Sequence, residues 1–386
     1  MTYRVESLMS ARLFVAPQFA EERIYFLSNI SGHLSLYAMF YGGSVPEPLL
    51  PPNIALQNPH LIGGLSFYAY PELGKILVMI DHDGDENYQP MLVPLEGGFP
   101  EPVFDGFFAG YRVHLADFDR DQNIVYLVAE RRDRPVQETY RGNLKTGKLT
   151  KIAGSEWGYI PIGYSRDHNR ILLATGYTTG DNVLYLWSKN KLKVLYGKPL
   201  EERTEGEQVA LNGLGSAAFA PDEKGAIVSS AVFEDTYSLG YIDFARPGRM
   251  DAIKLKGVVH TGSGEMVGLS HLRDDCYLVM FNIDGCSWAY EGIFDREKLV
   301  MKLKRVLVGQ EPFDNGMLEH IDYDRIEDVF TISFSTATSP TQIYTIEGAK
   351  RNDLSLHTNE KILGIPDAHL SKGEDASFVS HDGLRV

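Results

Sequence analysis

Cysteine is nearly missing from this chain, with only Cys276 and Cys286 among 386 residues. Two thiols cannot build a disulfide framework. If Asp284-Gly285 forms a two-residue hairpin turn, Ile283 faces Cys286 and Cys276 faces Ile293, so the sulfurs stand out of each other's reach. Both read as packing thiols. No apolar run approaches the ~20 residues that cross a bilayer. The opening MTYRVESLMSAR also lacks the apolar middle of a signal peptide, so the sequence reads as cytoplasmic. A basic excess is absent too: 37 Lys and Arg stand against 52 Asp and Glu, a net charge of −15. That sign argues against a nucleic-acid partner, which needs a cationic field to displace counterions.

Several chemical signatures are missing as well. None of the eleven histidines forms HExxH or another close zinc pair. No serine sits in a G-x-S-x-G elbow, since Ser263 lies directly between Gly262 and Gly264 and Ser270 is followed two residues on by Leu272. GNLKTGKL, residues 142–149, approaches P-loop spacing but places Leu149 where Ser or Thr would ligate magnesium, and it reads as a turn between strands. Gly213, Gly215 and Ala218 spell G-x-G-x-x-A, but Pro221 and Gly225 follow where a helix should run. DHDGDEN, residues 81–87, alternates acids in an EF-hand manner, yet Gly84 falls at position four rather than six, so a hairpin tip is expected. No cofactor and no metal are expected, and residues 1–386 hold no recognisable catalytic triad.

What the sequence does contain is a repeat. An apolar, β-branched segment recurs seven times: RIYFLSN from Arg23, KILVMID from Lys75, NIVYLVAE from Asn123, NRILLATG from Asn169, GAIVSSAV from Gly225, DCYLVMFN from Asp275 and EDVFTISF from Glu327. The steps between starts are 52, 48, 46, 56, 50 and 52 residues. A period near 50 suits one four-stranded propeller blade. Polar turns precede these segments, hairpins follow them, and continuous apolar runs of this length fit strands covered on both faces. Helical periodicity is scarce. In the stretch 294–308, Leu299, Leu303 and Val306 fit a helical face, but spacing alone does not separate that from the outer strands of a sixth blade, and strands are preferred.

The expected fold is therefore all-β, a seven-bladed propeller of four-stranded antiparallel blades lettered A to D from the axis outward. No first-blade strand is borrowed from the C-terminus, so the ring is expected to be open, closed by side chains only. The expected organisation is an N-terminal extension over 1–10, the propeller over 11–360 and a tail of different character over 361–386.

Two stretches add a resemblance. DHDGDENYQPMLVPLEGG, residues 81–98, is similar to an early blade hairpin of the prolyl oligopeptidase family of serine peptidases, nearest its acylaminoacyl-peptidase-like branch. FVSHDGLRV, residues 378–386, resembles the segment where that family's propeller hands over to its α/β-hydrolase domain. The resemblance implies a non-catalytic propeller that gates and positions peptide substrates for a C-terminal hydrolase domain in cis, absent from these residues. No family catalytic residue has a counterpart here. The rival expectation is a stand-alone, TolB-like propeller that binds a protein or glycan partner.

With alternating strand direction, the B-C loops and D-A connections share one face of the ring. That face is the expected side for a hydrolase domain and for substrate. Its loops cover 29–33, 81–87, 131–135, 177–181, 233–236, 284–285 and 335–339. Candidate residues on them are His33, Asp81, Asp85, Arg131, Arg132, Arg134, Glu234 and Asp235. The arginines suit a peptide carboxylate, and Glu234 or Asp235 suits an amine.

Overall fold

Every recurrent apolar segment becomes the second strand of an antiparallel four-stranded set, and seven such sheets, one of them extended by a further strand, stand around one axis as a propeller. The computed structural model describes residues 3–56, 59, 66–374 and 376–386. The B strands are Arg23–Ser28, Lys75–Ile80, Ile124–Arg131, Arg170–Thr178, Gly225–Ser230, Cys276–Ile283 and Val329–Thr336. Those of blades 1 and 5 are buried along their whole length, because each lies between two neighbouring sheets and has no solvent face.

The A strands that line the axis are Phe14–Ala20, Phe67–Tyr70, Tyr111–Asp119, Ile160–Tyr164, Leu214–Phe219, Gly264–Arg273 and Gly316–Asp324. In six of the seven, the pairing with B slips by an extra residue. Such bulges add local twist and bend the strand around the central channel. All seven A-B turns hold one residue in the left-handed region, namely Glu21, Gly74, Asn123, His168, Glu223, Asp274 and Asp328. Only one of these is glycine, so side chains must stabilise the others. Asp119 accepts the N–H groups of Asp121 (3.0 Å) and Gln122 (3.2 Å). Asp324 does the same for Ile326 (2.8 Å) and Glu327 (3.0 Å).

Each sheet is built from consecutive strands, and among the described residues no strand is exchanged between the first and last blades. Side chains close the seam. Phe14, Phe19, Ile24, Phe26, Tyr37 and Met39 of blade 1 form one apolar cluster with Ile343 of blade 7. At its rim, His357 accepts the Gly42 N–H on Nδ1 (3.1 Å), its Nε2 meets the Thr345 hydroxyl (2.9 Å), and Tyr41 packs edge-on against the ring.

The stretch 294–308 forms strands, Cys286–Asp295 followed by Val300–Val308. Asp284-Gly285 is the expected tight turn: both residues have positive φ, and Cys276 pairs with Ile293 while Ile283 pairs with Cys286. Burial pushes the Cys276 thiol up to about 11, as befits a packing residue. One element was not foreseen. Lys254–Lys256, in the connection leaving blade 5, pairs in parallel with Val300–Val308 and gives blade 6 a fifth strand.

Candidate functional site

The B-C loops and D-A connections do share a face, because backbone bonds tie them together. Gly180 in the fourth B-C turn accepts the N–H groups of Asn212 (2.7 Å) and Gly213 (3.0 Å) from the connection into blade 5. Ser263, entering blade 6, accepts from Asp284 (2.8 Å). The eight candidate residues all lie on this face, spread over four blades. His33 sits in blade 1, Asp81 and Asp85 in blade 2, the three arginines in blade 3, and Glu234 and Asp235 in blade 5.

Their charges are largely answered within their own loops. Asp85 accepts N–H groups from His82 and Asn87, and these bonds, led by the Asn87 side chain, hold its carboxyl below the usual range. Asp81 accepts the Glu86 N–H (3.2 Å). Arg131 makes a bidentate pair with Asp133, both contacts at 2.8 Å, and donates to the Tyr111 hydroxyl (3.1 Å). Arg132 lies 3.8 Å from Glu130, and Arg134 lies 3.9 Å from Glu138. Glu234 and Asp235 are exposed.

Two further features mark this face. Large apolar side chains stand exposed on it around the ring: Phe107, Trp157, Leu200, Leu211, Phe233, Val258 and Val259. On the opposite face, Phe40, Tyr41 and Val45 are exposed on one turn of blade 1, while Phe99 and Ile326 stand alone on turns of blades 2 and 7. The C-terminal tail also reaches the first face. Phe378 and Val386 exchange two backbone bonds of 2.8 Å, Ser380 donates to Leu384 (2.7 Å), and the resulting small hairpin is pinned by an ion pair between Arg385 and Asp284 of blade 6. Arg385 holds the Asp284 carboxyl below its usual range.

The axial channel carries a group of residues that the sequence reading missed. Opposite the third residue of every B strand stands one A-strand residue, giving a ring at one level: Gln18, Tyr68, Asp117, Gly163, Ala218, Ser270 and Asp322. Six of these, all but Gln18, line a cavity of about 500 Å³ toward the A-B turns. Blades 4 to 6 supply Gly, Ala and Ser, so that wall is open, while blades 7, 2 and 3 supply Asp, Tyr and Asp. A sequence signal existed. Asp117-Phe118-Asp119-Arg120 and Asp322-Tyr323-Asp324-Arg325 repeat the pattern acid, aromatic, acid, arginine at the ends of two A strands.

The two copies do different work. Arg120 crosses from blade 3 to pair with Asp324 of blade 7, and it donates to the Phe19 carbonyl of blade 1 (3.0 Å). Tyr68 of blade 2 donates to Asp322 (2.8 Å). These bonds clasp the seam from its axial side. Asp119, although buried, donates nothing and accepts from His168 Nε2 (3.0 Å), whose Nδ1 meets the Tyr126 hydroxyl (2.8 Å). Burial works to raise this carboxyl, but His168 and the turn N–H groups keep it below the usual range. Asp117 has only the Phe118 N–H (2.8 Å) against it, and burial lifts its carboxyl to about 7.

No protein-family model and no curated protein sequence matches the chain. Solved structures do share its fold. A structure from a study of two prolyl endopeptidases and the role of inter-domain dynamics in their catalysis and specificity superposes with a TM-score of 0.68 at 14% identity, covering 97% of this chain and 53% of that one. Apo prolyl oligopeptidase B from Galerina marginata gives 0.65 at 11%, covering 98% and 56%. Puromycin hydrolase gives 0.65 at 13%, covering 98% and 58%. The chain thus spans little more than half the length of the structures it matches.

Proposed function

We propose that this chain is the non-catalytic propeller of a prolyl-oligopeptidase-type serine peptidase, and that its B-C and D-A face docks an α/β-hydrolase domain and admits peptides to it. The observation that carries this reading is the coincidence of two independent features on one face. Exposed apolar residues from the connections and loops of blades 2 to 6 ring that face, as a domain interface needs, and the C-terminal hairpin is pinned there by Arg385 to Asp284. The fold neighbours, each nearly twice as long and most of them named as peptidases, support the same reading.

In this mechanism the docked domain supplies nucleophile, general base and oxyanion hole. The propeller excludes water and bulky substrates from the cleft. The reading frame beyond Val386 is expected to continue into a G-x-S-x-G elbow, and a fluorophosphonate probe is expected to leave residues 1–386 unlabelled. A stop codon directly after Val386 would overturn the proposal in favour of a self-standing propeller. Placing Glu at Leu211 and Val259 in the joined protein should loosen domain contact, read as faster proteolysis between the domains; unchanged proteolysis would count against this face.

The loop charges give a finer proposal, that Arg131, Arg132 and Arg134 draw in a peptide carboxylate while Glu234, Asp235, Asp81, Asp85 and His33 border the entrance. Since Asp133 already engages Arg131, the expected effect of charge is modest. Replacing both Arg131 and Arg134 by Glu should raise KM for peptides with a free carboxylate about three- to tenfold with kcat little changed. Equal KM values for acid and amide peptides in wild type and variant would remove these residues from substrate selection.

A further inference from the structure

The axial cavity holds a carboxyl group that the fold has desolvated without supplying a counter-charge. Asp117 makes one hydrogen bond, accepting the N–H of Phe118 (2.8 Å). The titratable groups around it are Asp119 on its own strand, Tyr126 on the paired strand, Tyr70 from blade 2 and Tyr164 from blade 4. None of these is a cation. On the same cavity wall Asp322, only 8% exposed, gives one oxygen to Tyr68, while the other, Oδ2, has no donor among the described residues. The cavity therefore presents one buried acceptor without a donor, Asp322 Oδ2, beside the half-buried Asp117 carboxyl, with aromatic sides from Phe118 and Tyr164 and an open wall at Gly163, Ala218 and Ser270. A buried acceptor left unmet is costly, and a carboxylate facing aromatic rings is the setting that favours an ammonium ion. Toward the mouth, Arg166 lines the same cavity, and its guanidinium forms no ion pair among the described residues. An ammonium at Asp117 with an anion at Arg166 describes a zwitterion. A volume of about 500 Å³ lies within the range of small-ligand sites and holds a short peptide.

We propose that the turn-side end of the central channel is a binding site for a short peptide with a free amino terminus, whose ammonium sits on Asp117 and whose carboxylate faces Arg166. This rests on the reading that the protein handles peptides, but it places a second, non-catalytic peptide site at the end of the propeller remote from the proposed docking face. Because the Asp117 carboxyl ionises near pH 7 and a peptide amine loses its proton near 8, affinity should peak between those values and fall on both sides.

The test is calorimetric titration of the 386-residue chain with trialanine, N-acetyl-trialanine and propylamine at pH 7.5. Trialanine is expected to bind, with the acetylated peptide and propylamine each at least tenfold weaker. Asp117→Asn should weaken trialanine at least tenfold while keeping the thermal midpoint, since it removes a charge that burial disfavours. Ser270→Phe, which fills the open wall from an exposed position, should abolish binding and leaves the proposal testable if the first variant misfolds. Equal binding of the acetylated peptide, unchanged affinity in Asp117→Asn, or no heat with trialanine at millimolar concentration would each overturn the site. Propylamine binding as tightly as trialanine would overturn the peptide assignment. None of these outcomes depends on a hydrolase domain, so the docking proposal stands or falls separately.

Discussion

Replacing Arg120 by Ala is expected to cost about 3–5 kcal/mol of stability, the range for removing one partner of a buried ion pair. The physical reason is the company Arg120 keeps. Its guanidinium is 8% exposed and meets an Asp324 side chain that is 6% exposed, with Asp322 close enough to raise its already high pKa further. Without the arginine, Asp324 stays buried beside Asp322 without its ion-pair partner, since Arg325 faces Asp121 and the Leu272 carbonyl instead, and the Phe19 carbonyl loses its donor. The loss also falls at the seam, where, among the described residues, neither a shared strand nor a chain connection holds blade 7 to blade 1. Thermal unfolding should show a midpoint lower by several degrees. Adding Asp324→Asn to Arg120→Ala should recover part of the loss, because Asn still accepts the turn N–H groups of Ile326 and Glu327 but carries no charge to strand. An unchanged midpoint in Arg120→Ala would show that the apolar seam alone closes the ring.

The difference between what the sequence discloses and what it hides has a physical basis in this molecule. The B strands were legible because a strand covered on both faces needs a continuous apolar run, and RIYFLS or KILVMI can be read without knowing any neighbour. The pairing of Cys276 with Ile293 followed from one turn, Asp284-Gly285, since hairpin register is set locally. The axial clasp was hidden because its partners are distant in the chain. Arg120 and Asp324 are separated by 204 residues, and Tyr68 and Asp322 by 254. No periodicity links them; only the closed ring does. The repeat of DFDR and DYDR pointed to equivalent positions, yet it did not say that Arg120 would be buried against Asp324 while Arg325, half-exposed, donates to the Leu272 carbonyl (2.9 Å) and lies 3.9 Å from Asp121 of blade 3. Strand alternation grouped the loop candidates on the B-C face, but the partner of Arg131 was two residues away at Asp133. Composition treats such an arginine as available when geometry has already engaged it.

Acid should open the same seam from its outer side, at His357. Its ring accepts the Gly42 N–H from blade 1 and so must carry no proton on Nδ1, and burial pushes its pKa down to about 4. In the unfolded chain the imidazole ionises near 6.5. Between those values the unfolded state binds the proton and the folded state does not, so stability rises with pH across the window. The contribution is complete above about 6.5 and is lost as pH falls toward 4, amounting to about 3 kcal/mol at the lower end. Asp117 acts in the opposite sense. Its carboxyl, raised to about 7, binds a proton in the folded state first, so acidification below 7 relieves its burial and stabilises the fold. The whole-protein pH profile therefore mixes the two, and a variant must separate them. Gln in place of His357 can still accept from Gly42 and donate to Thr345, but it does not titrate. At pH 7.5 the His357→Gln protein should unfold within about 1 kcal/mol of the wild type. At pH 4.5 it should be the more stable of the two by about 2 kcal/mol. Parallel pH profiles for the two proteins would mean that the contact between blades 7 and 1 survives with a protonated imidazole, and that the seam does not depend on the Gly42 bond.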